Sequence, residues 1–143
     1  MALQTVIKII LLLFLGYAAF SDAFTKQISL VSAGLSFLAG LVLQIITSAF
    51  SFLDLALACA IGIVLAGVSR LSGEALGYGD SVLFITSGIF LGFTENIFLL
   101  LFSLLLCAVY SIFMMLIGKK KIKDSIAFAP FILGGYLCVL AIA

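Results

Sequence analysis

Apolar residues in this chain fall into long runs separated by very short polar breaks, at about 3 to 21, 28 to 46, 53 to 69, 81 to 93, 97 to 117 and 126 to 143. A helix that crosses a bilayer needs about 20 mostly apolar residues. The pattern therefore predicts an all-α fold, a polytopic transmembrane helix bundle of about six spans, with residues 1–143 forming a single transmembrane domain. The fourth run is too short to cross unless its helix also takes in Gly79 and Asp80 at one end, or Thr94 to Asn96 at the other. Asp80 is thereby expected at or inside the membrane boundary. Two small-residue pairs, Gly88 with Gly92 and Ser36 with Gly40, read as sites of close helix approach, since lipid supplies no hydrophobic drive for association.

Composition removes the alternatives. The chain is 66% hydrophobic and only 9% charged, against about half and a quarter in soluble domains. Its net charge of +1 offers no bulk attraction for nucleic acid or an acidic substrate. The three cysteines, Cys59, Cys107 and Cys138, sit singly inside apolar runs without CxxC spacing. They read as small core hydrophobes, with no zinc site and no disulfide framework expected. The N-terminus could pass for a signal peptide, because Lys8 precedes the apolar stretch Ile9 to Phe14 and Ala18 and Ala19 follow. The rest of the chain is as apolar as the start, so a cleaved product would be insoluble, and the run reads as a retained span.

Loop charge sets the expected orientation. The connections after runs one, three and five hold Lys26, Arg70 and Lys119, Lys120, Lys121 and Lys123, six basic residues, while those after runs two and four hold none. Cytoplasmic loops carry the Lys and Arg excess, so both termini are expected outside. Lys8 dissents mildly and is expected to snorkel to the interface. Asp22, ending the first run, and Asp80, opening the fourth, then lie on the same cytoplasmic side at comparable depth.

Ionisable groups at membrane depth are functional candidates unless they reach the headgroups. Asp54 and Glu95 at outer span ends, and Asp124 beside the lysines, read as solvated; Glu74 lies in the third connection. Asp80 differs through its neighbours, Gly77-Tyr78-Gly79-Asp80. Two glycines around one residue let the backbone take positive φ or approach another chain closely, which suits a carboxylate that must meet an extended peptide. Asp22, in Ser21-Asp22-Ala23-Phe24-Thr25-Lys26-Gln27-Ile28, supplies a second acid on the same side.

These residues resemble the prepilin peptidase family, the GxGD-type intramembrane aspartic proteases of type IV pilin leader processing. Members carry one aspartate just after a span, followed by basic residues and an Ile, and a second in GxGD opening a later span; Asp22, Lys26, Ile28 and Gly77 to Asp80 match. The stretch from Ile126 through Pro130-Phe131 to Gly135 resembles the family's final-span motif. Val82 stands where members often have Lys, and Ser29-Leu30 where they often have Pro or Asn.

The resemblance implies an aspartic endopeptidase, a small form of the family. Asp22 and Asp80 would be catalytic, with Gly77, Tyr78 and Gly79 in support and Lys26 and Pro130 on the substrate side. The implied partner is a prepilin or pseudopilin precursor whose basic leader is cut at the cytoplasmic face. No metal or other cofactor is implied, and membrane lipid is the surrounding partner. Larger members hold a cytoplasmic domain with paired CxxC motifs and methylate the new pilin N-terminus; this chain lacks that insert, so methyl transfer is not expected. A rival of another class is a small ion- or proton-coupled transporter using Asp22 and Asp80 as a relay. Transporters of this size are usually built from repeats or oligomerise. A scaffold would leave the two acids unexplained, and a presenilin-like protease fits the context of the first aspartate less well.

Overall fold

The computed structural model describes residues 2–25, 30–71, 77–118 and 127–142. They form five helices: α1 (Ala2–Thr25), α2 (Leu30–Thr47), α3 (Phe52–Leu71), α4 (Tyr78–Leu116) and α5 (Ala129–Ile142). The first four are long and apolar enough to cross a membrane, and α5 is a shorter apolar helix of 14 residues. Outward side chains such as Leu13, Val31, Ile45, Val64 and Leu116 are exposed apolar groups, a surface suited to lipid rather than water.

Six predicted segments become five helices because the fourth and fifth are joined through one residue. Gly92, at φ 72° and ψ −177°, is non-helical inside α4. It divides α4 into a first arm, 78–91, and a second arm, 93–116. The chain folds back there: the Asn96 amide reaches the Phe84 carbonyl at 3.1 Å, although twelve residues of straight helix would hold them roughly 18 Å apart.

The first arm is the hub of the fold. From Asp80 to Gly92 nearly every position is buried, as expected for a helix apolar all round. Small residues let its neighbours come close. A Cβ on Gly62 of α3 would lie 2.7 Å from the Ser81 carbonyl oxygen, and one on Gly40 of α2 would lie 2.8 Å from the Phe90 ring. A Cβ on Gly88 would lie 3.0 Å from the Ala58 carbonyl oxygen. One member of each small-residue pair, Gly88 and Gly40, thus lies at a tight helix contact, while Gly92 of the first pair is the fold-back itself. Leu11, Phe14, Leu15 and Ala18 of α1, Leu83, Phe84 and Leu99 of α4, and Ile132 and Tyr136 of α5 form the core beside this hub. Among the described helices, α3 packs against α4 alone.

Several polar groups in this apolar interior find partners on neighbouring helices. Asn96, fully buried, donates to the carbonyls of Ala58 at 3.2 Å and Phe84 at 3.1 Å and accepts from the Ser87 hydroxyl at 2.9 Å. One side chain thereby ties α3 and both arms of α4, the kind of interhelical link that substitutes for hydrophobic drive in lipid. Asp54 corrects its reading as a solvated acid. It is half-buried in the first turn of α3, and its Oδ2 accepts the backbone N–H of Phe93 at 3.2 Å, satisfying a donor left free where the second arm begins.

Candidate active site

Asp22 lies in the last turn of α1 and Asp80 in the first turn of α4, as the run boundaries predict. Both are buried, at 8% and 6% exposure, so neither is a solvated acid at a helix end. The two come from distant parts of the chain, on helices whose ends meet the start of α5. The fold therefore gathers both at one end of the bundle.

A third element completes it. Asp22 Oδ2 accepts the backbone N–H of Ala129 at 3.1 Å. Ala129 opens α5, where N–H groups have no partner within the helix and the dipole attracts negative charge. Pro130 follows and has no N–H to offer, so the Ala129 amide is the donor at this point. The Phe84 ring, one turn beyond Asp80, meets Phe128 at a centroid distance of 6.4 Å, holding the starts of α4 and α5 together. Sequence reasoning marked the stretch around Pro130 only through its family likeness. The roles of Ala129 and of the Phe84–Phe128 contact depend on tertiary approach and leave no local pattern.

Around Asp80 the backbone is shaped for close approach. Gly77, just before α4, is extended at φ −61° and ψ 130°. Of the two freedoms expected of this glycine, positive φ is not used. Proximity is: a Cβ on Gly77 would lie 2.8 Å from Asp80 Oδ2. The Asp80 amide donates to the Gly77 carbonyl at 3.0 Å, closing the turn. Asp80 Oδ1 is buried and has no hydrogen-bond partner among the described residues. An oxygen in that state costs about 1–3 kcal/mol and is an open acceptor for a proton, a water or a substrate group. Tyr78 is exposed and Gly79 half-buried. Lys26, Ile28, Glu74, Lys119 to Lys123 and Asp124 lie outside the described residues, as does Ile126 of the final motif.

Among the described residues, no group of three or more His, Cys, Asp or Glu side chains converges on a point. Cys59, Cys107 and Cys138 are free and half-buried.

No match was found among curated proteins or among solved structures. A model of the type IV leader peptidase family matches residues 9–112, a stretch that contains Asp22, Asp80 and the Gly92 fold-back and ends before Pro130. With well over half of its length matched, the chain belongs to the type IV leader peptidase family.

Proposed function

We propose that the chain is an intramembrane aspartic endopeptidase that cuts the basic leader from prepilin-like or pseudopilin precursors at the cytoplasmic membrane face. One observation supports the reading: two carboxylates from separate helices are buried at the end of the bundle where α5 begins, one oxygen of Asp22 held by the Ala129 N–H and one oxygen of Asp80 without a partner among the described residues. Family membership supplies the peptidase class.

In this mechanism the pair holds a single proton. The ionised carboxylate takes a proton from water as the water oxygen attacks the scissile carbonyl carbon. The protonated partner gives its proton to the carbonyl oxygen, forming a neutral tetrahedral diol. Collapse of the diol returns a proton to the dyad, breaks the C–N bond and passes a proton to the leaving amine. The Ala129 N–H holds Asp22 in place throughout, and Gly77 leaves room for the substrate strand beside Asp80.

The two arms of α4 supply the fourth and fifth of six crossings in this reading, with α5 as the sixth. Both termini then lie outside, and the aspartates lie on the inner side with the basic loops. Lys26 and Pro130 flank the site as substrate-side contacts, and the lysine run anchors to anionic headgroups, worth about 1 kcal/mol per charge. Co-expression with candidate prepilins tests the activity: a mobility shift matching loss of the leader is expected. Unshifted precursors across the whole set, with the enzyme folded in the membrane, would contradict it.

A further inference from the structure

A cavity of about 150 Å³ lies at the other end of the bundle, between α1, α2, α5 and the Gly92 fold-back. Lys8 of α1 and Glu95 of the second arm line it together, both half-buried. Lys8 is fourteen residues from Asp22 along α1, roughly 21 Å of helix, so this cavity is separate from the aspartates. The two opposite charges form no ion pair with each other or with other described residues. Half-buried charges without a partner carry a desolvation cost, and these two line the same space, which has room for several waters.

The neutral lining suits a polar guest. Tyr136 spends its hydroxyl proton on the Lys8 carbonyl at 2.9 Å and keeps acceptor capacity. Gln44 is buried, with its amide nitrogen committed to the Phe50 carbonyl at 3.2 Å, which leaves its oxygen as an acceptor. Gln4 stands exposed at the rim. A simple anion would satisfy Lys8 and oppose Glu95; a simple cation would do the reverse. A guest with an anionic group and a primary ammonium a few atoms apart satisfies both and leaves the cavity neutral.

We propose that this cavity is a binding site for a primary-ammonium zwitterion, the chemistry of a phosphoethanolamine headgroup, with its phosphate on Lys8 and its ammonium on Glu95. The same chemistry is offered by a membrane phospholipid and by free phosphoethanolamine. The site is independent of the cleavage reaction, and its occupancy is read without any substrate.

Native mass spectrometry of the detergent-purified full chain, titrated with phosphatidylethanolamine, phosphatidylcholine and phosphatidylglycerol, tests it. One phosphatidylethanolamine per chain is expected, held at least tenfold more tightly than the other two. Phosphatidylcholine is the sharp control, because its quaternary ammonium has no N–H to give Glu95. Lys8→Gln and Glu95→Gln should each weaken retention tenfold or more, while Lys8→Arg keeps it; circular dichroism confirms that each variant is folded. Competition by free phosphoethanolamine would identify a soluble source, and retention of the lipid in its presence a membrane source, each in keeping with the site. Equal retention of all three lipids, or retention unchanged in the folded Lys8→Gln and Glu95→Gln variants, would overturn it. So would a double-mutant cycle in lipid-free detergent showing that Lys8 and Glu95 simply pair with one another.

Discussion

Gly92 and Gly77 are the two positions where a missing Cβ decides local structure, and they do so differently. At φ 72° and ψ −177° Gly92 occupies backbone space that other residues enter only at about 1–3 kcal/mol. A Cβ there would also lie 2.8 Å from the Phe50 ring. Gly92→Ala should therefore lower stability by about 2 kcal/mol or more, read as an earlier unfolding midpoint in detergent. An unchanged midpoint would mean the fold-back does not depend on this residue. Gly77 has ordinary dihedrals, and its substitution instead pushes on the Asp80 carboxylate. Gly77→Ala should leave the unfolding midpoint nearly unchanged yet slow precursor cleavage at least tenfold, about 1.4 kcal/mol of barrier. Tyr78→Phe, at an exposed position, should be mild in the same assay.

At the scale of the elements, Asn96 and Asp54 hold the α4 hairpin against α3. Neither announced itself in the chain: Asn96 read only as one edge of a short apolar run, and Asp54 as a solvated end. Their partners are the backbone groups of Ala58, Phe84 and Phe93, and a side chain's choice among backbone partners on other helices is invisible to local pattern. The runs themselves were readable, because burial in lipid demands an apolar face on every side. What hydropathy could not supply was that two of them join through one glycine. Asn96→Leu should destabilise by about 1–2 kcal/mol, given the modest strength of hydrogen bonds between membrane helices. Asp54→Ala should cost about 1 kcal/mol as a lost helix cap. Reversible unfolding in mixed micelles measures both, and an Asn96→Leu protein as stable as the parent would remove the network from the account.

For the whole molecule, the sequence marked Asp22 and Asp80 at the ends of apolar runs, and the fold buries both beside the start of α5. That much was legible because each acid sits beside a span boundary, and a GxGD pattern marks the second. The Ala129 N–H was not legible, since it belongs to α5 and reaches Asp22 only through the packing of α1 against α5. The proposed orientation predicts that single cysteines near residues 26 and 121, in a cysteine-free background, resist impermeant thiol reagents in intact cells. One at Ser48 should react, and the opposite pattern would put the aspartates on the outer face.

The most direct test is the cleavage rate of a purified prepilin by reconstituted enzyme, compared among the parent chain, Asp22→Asn and Asp80→Asn at matched folded concentration. Loss of at least a hundredfold is expected in each, about 2.7 kcal/mol or more of transition-state stabilisation, with the unfolding midpoint no lower than the parent's. Either variant cutting the precursor at near the parental rate would contradict the dyad.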